Sequence, residues 1–252
     1  MIDGNLGPGH VGSVGPYVYI NDLIYLEVSV YRTLNPSAQN ALGVDPFGAF
    51  GLFDAAPYWR AAFEPHWGPH WLEVGTFGMI ANIHPWVNPG TPDTSITPLT
   101  DKYTDIGFDA QYQYQGDNFW FTLRGNYIHE LQKLDATVNN LCPFPTVPPS
   151  CVNLNNELNE ARAYASLAYG NNNRIVLTGQ YFTSWGSPAL GADTNGWIAE
   201  IAYIPFITSF SPGWPWFNTR IGLQYTWYEK VGGVSAGASN NNTLFAYIWL
   251  AM

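Results

Sequence analysis

"FDAQYQYQGDNFWFTLRGNY", residues 108–127, alternates apolar and polar side chains over a length that few soluble strands reach. Ile106, Phe108, Ala110, Tyr112 and Tyr114 fall on one face, with Asp105, Gly107, Asp109, Gln111, Gln113 and Gln115 on the other. After the Gly116-Asp117 step the alternation resumes through Phe119, Phe121, Leu123, Gly125 and Tyr127. A period of two means strand, and a Gly-Asp step between two such runs means a tight turn. An ordinary strand carries about 5–6 residues, and each of these runs for about twice that. A tilted strand needs about 9–11 residues to cross a bilayer. The length therefore points to lipid on the aromatic face and water on the polar one.

Composition agrees. Only 11% of the residues are charged, against roughly 25% in a typical soluble domain. A soluble sandwich would need more Lys and Glu on its outer faces. The net charge of −10 offers no basic patch for phosphates, which excludes nucleic acid as a partner. No apolar run approaches the roughly 18 residues of a membrane helix.

Segments with a period of two lie near 11–20, 23–34, 57–67, 70–83, 104–115, 118–132, 159–169, 174–185, 197–206, 217–230 and 243–252. The tenth is the cleanest, with Phe217, Thr219, Ile221, Leu223, Tyr225 and Trp227 opposite Asn218, Arg220, Gly222, Gln224 and Thr226. In the third, Trp59, Ala61, Phe63 and Trp67 oppose Arg60, Glu64 and His66. Short turns at Asn21-Asp22, Gly68-Pro69, Gly116-Asp117 and 170–173 alternate with long stretches at 35–56, 84–103, 133–158, 186–196 and 231–242. The connection near 207–216 is intermediate. Short turns at one end and long loops at the other are the pattern of an outer-membrane barrel.

The expected fold is thus all-β, an antiparallel transmembrane β-barrel of the outer-membrane type with about eleven strands, residues 1–252 forming one domain. Its expected location is the bacterial outer membrane, with outer-membrane lipid as its surroundings. Loop parity makes the first and last strands run the same way, whereas bacterial single-chain barrels have even counts. "MIDGNLGPGH" has no signal-peptide pattern. Both features lead to the expectation that this is the C-terminal part of a larger, even-stranded barrel.

Several strings carry a family resemblance: "WGPHWLEVGTFGM", "TDIGFDAQYQYQGDNFWF", "NGWIAEIAYIPF", "NTRIGLQYTWYEK" and "NNTLFAYIWLAM". Together they resemble the porin-like barrel portion of outer-membrane monohaem cytochrome–porin fusion proteins, of the iron-oxidiser type and its relatives. The resemblance implies a c-type haem segment upstream of the matched region, a role in electron transfer and periplasmic cytochromes as partners. No C-x-x-C-H occurs in the chain, so no cofactor is expected within it. The terminal Met252 also departs from the aromatic that usually ends such barrels.

If the greasy faces meet lipid, Glu27, Arg60, Glu64, Asp105, Asp109, Arg124, Glu130, Arg162, Glu200 and Arg220 line the lumen. Two readings stand for this set. One is an ion-pair network that plugs and stiffens the interior; the other is a selectivity ring or a polar cradle for a haem domain. His66 and His70 bracket a short turn and are the candidate metal or haem ligands, against the plainer reading of an interfacial polar pair. His129 and Glu130 are sequential on a strand and so face opposite ways. No His-x-Ser spacing occurs, and Ser29, Ser166 and Ser184 fall on the inner face. That leaves a transport or conduit protein as the leading class and a barrel enzyme acting on lipid as its alternative.

Cys142 and Cys151 flank the Pro-rich segment "CPFPTVPPSC" in a long outer loop. Export to an oxidising compartment would bridge them, and closing a loop of roughly ten residues contributes up to about 3 kcal/mol in the chain-entropy treatment. Thiol labelling of the folded, non-reduced protein is therefore expected to find neither cysteine reactive. Two labelled equivalents would refute the bridge.

Overall fold

Each alternating run of the sequence is strand in the computed structural model, which describes residues 10–44, 51–52, 54–84, 86–88, 91–92, 99–137, 155–170, 173–186, 193–206 and 216–251. Cys142 and Cys151 lie outside the described residues. In chain order the strands are β1 (Val11–Val14), β2 (Tyr17–Ile20), β3 (Ile24–Thr33), β4 (Gly51–Leu52), β5 (Ala56–Phe63), β6 (His66–Trp67), β7 (His70–His84) and β8 (Trp86–Asn88). There follow β9 (Thr91–Pro92), β10 (Asp101–Gln115), β11 (Phe119–Leu134), β12 (Asn155–Tyr169), β13 (Ile175–Gly186), β14 (Thr194–Tyr203), β15 (Asn218–Lys230) and β16 (Thr243–Ala251). Helix is confined to short pieces such as α1 (Pro36–Ala41), where the Asn35 side chain accepts the Ala38 N–H at 2.8 Å.

Two runs expected to be single strands are broken by proline, which cannot donate to a ladder. The run 11–20 divides at Gly15-Pro16 into β1 and β2, and both halves pair with β3. A Cβ on Gly15 would sit 2.2 Å from the Val28 carbonyl oxygen, so the interruption also brings two backbones close. The run 57–67 divides at Glu64-Pro65 into β5 and β6.

The strands form one antiparallel sheet in the order β1-β3-β5-β7-β10-β11-β12-β13-β14-β15-β16, with β2, β4 and β6 as side pairings and β8-β9 a separate hairpin. Among the described residues no hydrogen-bonded pairing joins β1 to β16. The short turns have the backbone their residues favour. Asn21 and Asp22 both have positive φ, 53° and 51°, and Leu23 N–H closes the turn on the Ile20 carbonyl at 3.1 Å. This is the primed turn that matches strand twist. Gly68 and Gly170 take positive φ in their own turns.

The alternation of short and long connections holds from β2 to β13 and then fails. The connection 204–217 is longer than 187–193. Strand β14 stops at Tyr203, ahead of Pro205, while its beginning reaches back to Thr194.

The chain divides into two compact units: Met1–Ala62 with Gly75–Phe108 and Ile128–Asn159, and Phe63–Val74 with Asp109–Tyr127 and Glu160–Met252. Each is inverted in polarity. In the first, Phe108 is 57% exposed and Ile106, Val28 and Val30 are also exposed, while Asp105 is 9% and Glu130 0% exposed. A small apolar cluster of Leu52, Ala56, Ala81 and Ile83 accompanies these buried polar groups. In the second, Ile201, Tyr203, Ile221, Leu223, Leu244 and Ile248 are exposed while Thr226, on the other face of β15, is buried. Alternation is kept in register. Glu200 pairs with Gln224 and Thr178 on the polar face, and Ile201 with Leu223 and Leu177 on the other.

Glycines let aromatic rings lie flat on the sheet. A Cβ on Gly222 would stand 2.3 Å from the Tyr247 ring, and one on Gly107 the same distance from Phe77. Gly179 has open space where its Cβ would be. Gly222→Val should therefore cost about 1–3 kcal/mol through overpacking, while Gly179→Val should stay within about 0.5 kcal/mol of the parent. Urea unfolding of the two variants side by side checks this contrast.

Candidate functional site

Long strands with one polar face gather many of the chain's carboxylates and four of its arginines on that face. In the first unit, Glu27 on β3 accepts hydrogen bonds from Tyr25 Oη at 2.8 Å and Ser29 Oγ at 2.6 Å. These three residues alternate along one strand, which is why they can reach each other. Arg60 on β5 lies over the Phe77 ring at 5.9 Å. Glu130 on β11 is fully buried and accepts from the Gln132 amide, again two residues along. Asp101 opens β10 and is also buried. Its Oδ1 accepts the Ala136 and Thr137 N–H groups at 2.9 and 3.0 Å, capping the turn that follows β11.

In the second unit, Glu200 on β14, Arg220 on β15 and Tyr247 on β16 converge. Arg220 forms an ion pair with Glu200, whose Oε1 also accepts from Tyr247 Oη at 3.0 Å. Arg124 on β11 lies 5.6 Å above the Tyr164 ring, and Arg162 pairs with Glu160 on its own strand β12. Glu64, Asp105 and Asp109 are likewise engaged. The ten residues expected on the polar face are thus not one constellation. They fall into several local groups, each neutralised or hydrogen-bonded where it stands.

The balance of charge differs from group to group. In the first unit Glu27, Asp101, Asp105 and Glu130 stand against Arg60. In the second, Glu64, Asp109, Glu160 and Glu200 stand against Arg124, Arg162 and Arg220, an excess of one. The first unit's polar face is therefore the more acidic one.

His10, His66, His70 and His129 each engage a neighbour that is not a metal ligand. His66 pairs with Trp71 and Trp67 with His70 across the β6–β7 hairpin, so the two imidazoles lie on opposite faces and do not converge. His66 stacks on Trp71 at 4.9 Å. His70 stacks on Trp67 at 5.3 Å, and its Nδ1 lies 2.7 Å from Tyr112 Oη. His129 Nδ1 is 2.8 Å from Asn159 Oδ1 and His10 Nδ1 is 2.7 Å from Gln39 Oε1. Among the described residues no group of three His, Cys, Asp or Glu could hold a metal. The chain holds no C-x-x-C-H, the attachment motif of a c-type haem. Ser29 and Ser166 bond to Glu27 and Thr178, so neither has the histidine partner of an activated nucleophile.

Tyr247 and Asp101 are functional neighbours that sequence reasoning missed. Tyr247 was readable from the alternation Phe245, Tyr247, Trp249, which sets the three on the face of Gly222 and Gln224. Nothing local marks Asp101, because its role depends on the turn after β11. Compared with known proteins, the chain matches no family model and no curated sequence.

The Glu200–Arg220 pair is partly buried, with side-chain exposures of 13% and 29%. Removing one partner strands the other charge. Glu200→Gln and Arg220→Met should each destabilise by about 1–3 kcal/mol, and the double variant by less than their sum, with a coupling of about 1 kcal/mol or more. Denaturant midpoints around this cycle provide the measurement, and strict additivity would show the pair to be inert.

Proposed function

We propose that this chain forms the wall of a bacterial outer-membrane β-barrel and works as a porin-like scaffold or conduit, for small cations or for an electron-transfer partner. One observation carries the reading: the apolar face is the exposed one. Phe108, Ile201, Leu223 and Ile248 stand exposed where Asp105, Glu130 and Thr226 are buried. In water each exposed apolar side chain would forgo about 1.5–3 kcal/mol of burial. Against acyl chains the same arrangement is favourable, and strand pairing satisfies the backbone as lipid demands.

Aromatic tiers support the same reading. Tyr181, Trp197 and Trp227 stack across β13, β14 and β15, with ring centroids 4.8 and 6.2 Å apart. Beside them Glu229 accepts from Trp197 Nε1 and Asn195 Nδ2. A second tier of Trp67, His70 and Tyr114 flanks the turn at Gly68. Rings with one greasy and one polar edge suit the two interfaces of a bilayer.

The acidic polar face would favour cations, since carboxylates in a low-dielectric wall focus a negative potential. The electron-transfer part rests on the resemblance to cytochrome–porin fusions alone. A c-type haem group would then belong to residues other than these, and periplasmic cytochromes would be its partners.

Planar-bilayer recording of reconstituted full-length protein under a salt gradient is expected to give a cation-selective reversal potential. Anion selectivity would defeat the acidic-interior claim. Haem-dependent oxidation of ferrous iron without conductance would favour the electron conduit over the pore. Lipids brominated in their acyl chains should quench the tryptophan fluorescence, and an unquenched signal from folded protein would rule out the membrane wall itself.

A further inference from the structure

Basic residues on the strands fall into two groups. Arg60, Arg124, Arg162 and Arg220 lie on the polar face of their strands, whereas exposed Arg32 at the end of β3 and each lysine adjoin a long connection. Lys102 is the second residue of β10, Lys133 the penultimate residue of β11, and Lys230 the last of β15. Two of the three, Lys102 and Lys133, line one cleft of about 290 Å³ together with Thr104, Leu131 and Glu157. The cleft lies within the first unit; buried Gln132 and Asn156 also line it, and the two lysines are on the exposed face, opposite to buried Asp101.

Counting back along β10 and β11 from the Gly116–Phe119 hydrogen bond at their turn brings Lys102 and Lys133 to facing positions. Like charges directly opposite on neighbouring strands repel. Asp135 takes up Lys133 at 2.9 Å, and no ion pair of Lys102 occurs among the described residues. An anionic group seated between them would relieve the repulsion. The rest of each strand says what that group is attached to. Going away from the long connections, β10 presents Lys102, Thr104, Ile106 and Phe108 on this face, and β11 presents Lys133 and then Leu131. Ammonium, then hydroxyl, then exposed apolar side chains is the profile of a lipid read from headgroup to acyl chain.

We infer that the Lys102–Lys133 cleft binds the phosphate-bearing headgroup of a membrane lipid, its acyl chain running along Leu131, Ile106 and Phe108. The inference rests on the membrane-wall reading above. Glu157 gives the cleft a negative rim as well, so a headgroup carrying an ammonium beside its phosphate, such as phosphoethanolamine, suits it better than a polyanion.

The test uses full-length protein folded in an uncharged detergent, titrated with phosphatidylethanolamine and followed by native mass spectrometry. Lys102→Met/Lys133→Met is expected to weaken lipid retention about thirtyfold, at roughly 1 kcal/mol per lysine near a membrane surface. Lys230→Met, at the end of β15 and 4.0 Å from Asp193, should leave retention unchanged. Equal retention by the double variant and the parent overturns the site. Competition by inorganic phosphate as effective as by the lipid would reduce it to a free-anion site and overturn the lipid assignment. Brominated-lipid quenching is recorded on the same double variant. Quenching retained with lipid retention unchanged sinks the site and spares the membrane wall, whereas loss of quenching in the parent sinks both.

Discussion

Strict period-two alternation over long strands is the constraint on which the rest of the structure depends. Slipping β15 by one residue against β14 would carry Arg220, Gly222, Gln224 and Thr226 to the face now held by Ile221, Leu223 and Tyr225. Every polar group on that strand would then lie among the exposed apolar side chains. The penalty grows with strand length, so thirteen residues in β15 fix register far more firmly than a strand of about 5–6 residues could. The glycines act within this constraint. At Gly222 the missing Cβ lets the Tyr247 ring close over the sheet, and the ring's hydroxyl then reaches Glu200. Register, packing and the polar group on β14, β15 and β16 are therefore one arrangement.

The strands were legible because alternation is a local property of the sequence. Ile106 to Tyr114 against Asp105 to Gln113 needs no partner to be read, and the exposures of Phe108 and Asp105 follow it. Boundaries were less legible, for two reasons. Proline splits a run without disturbing its alternation, as at Pro16 and Pro65, so periodicity carries across the break. Capping signals were also passed over. Asn35-Pro36-Ser37 offers an N-cap side chain followed by proline at the first helical position, which is enough to start α1 inside a stretch read as loop.

The polar set was legible as a face but not as a site. Parity places Glu27, Arg60, Glu130, Glu200 and Arg220 together, yet only register decides which of them touch. Glu200 reaches Arg220 because β14 and β15 are neighbours with a known offset. Glu27 instead accepts from Tyr25 and Ser29 of its own strand, with the Arg60 charge on neighbouring β5 a smaller influence. The histidine pair shows the same limit. His66 and His70 are four residues apart in sequence, but the tight turn at Gly68-Pro69 pairs each with a tryptophan and turns the rings to opposite faces. Sequence spacing across a hairpin is thus a poor guide to convergence, because the turn geometry enters with equal weight.

The separation of arginine from lysine follows from how each handles partial burial. Guanidinium is planar and weakly hydrated, so it can lie on a ring, as Arg60 does on Phe77 and Arg124 on Tyr164, and keep its charge beside a carboxylate. Ammonium is compact and strongly hydrated, and it needs a flexible stem that ends in water or at a headgroup. Lys102 and Lys133 have that position, at the strand ends beside the long connections. The separation is not complete, since Arg32 stands exposed as the penultimate residue of β3 on the face of Val28 and Val30. What divides the basic residues of the strands is therefore the partner within reach: a ring or a carboxylate engages Arg60, Arg124, Arg162 and Arg220, whereas Arg32 and the lysines stand at strand ends.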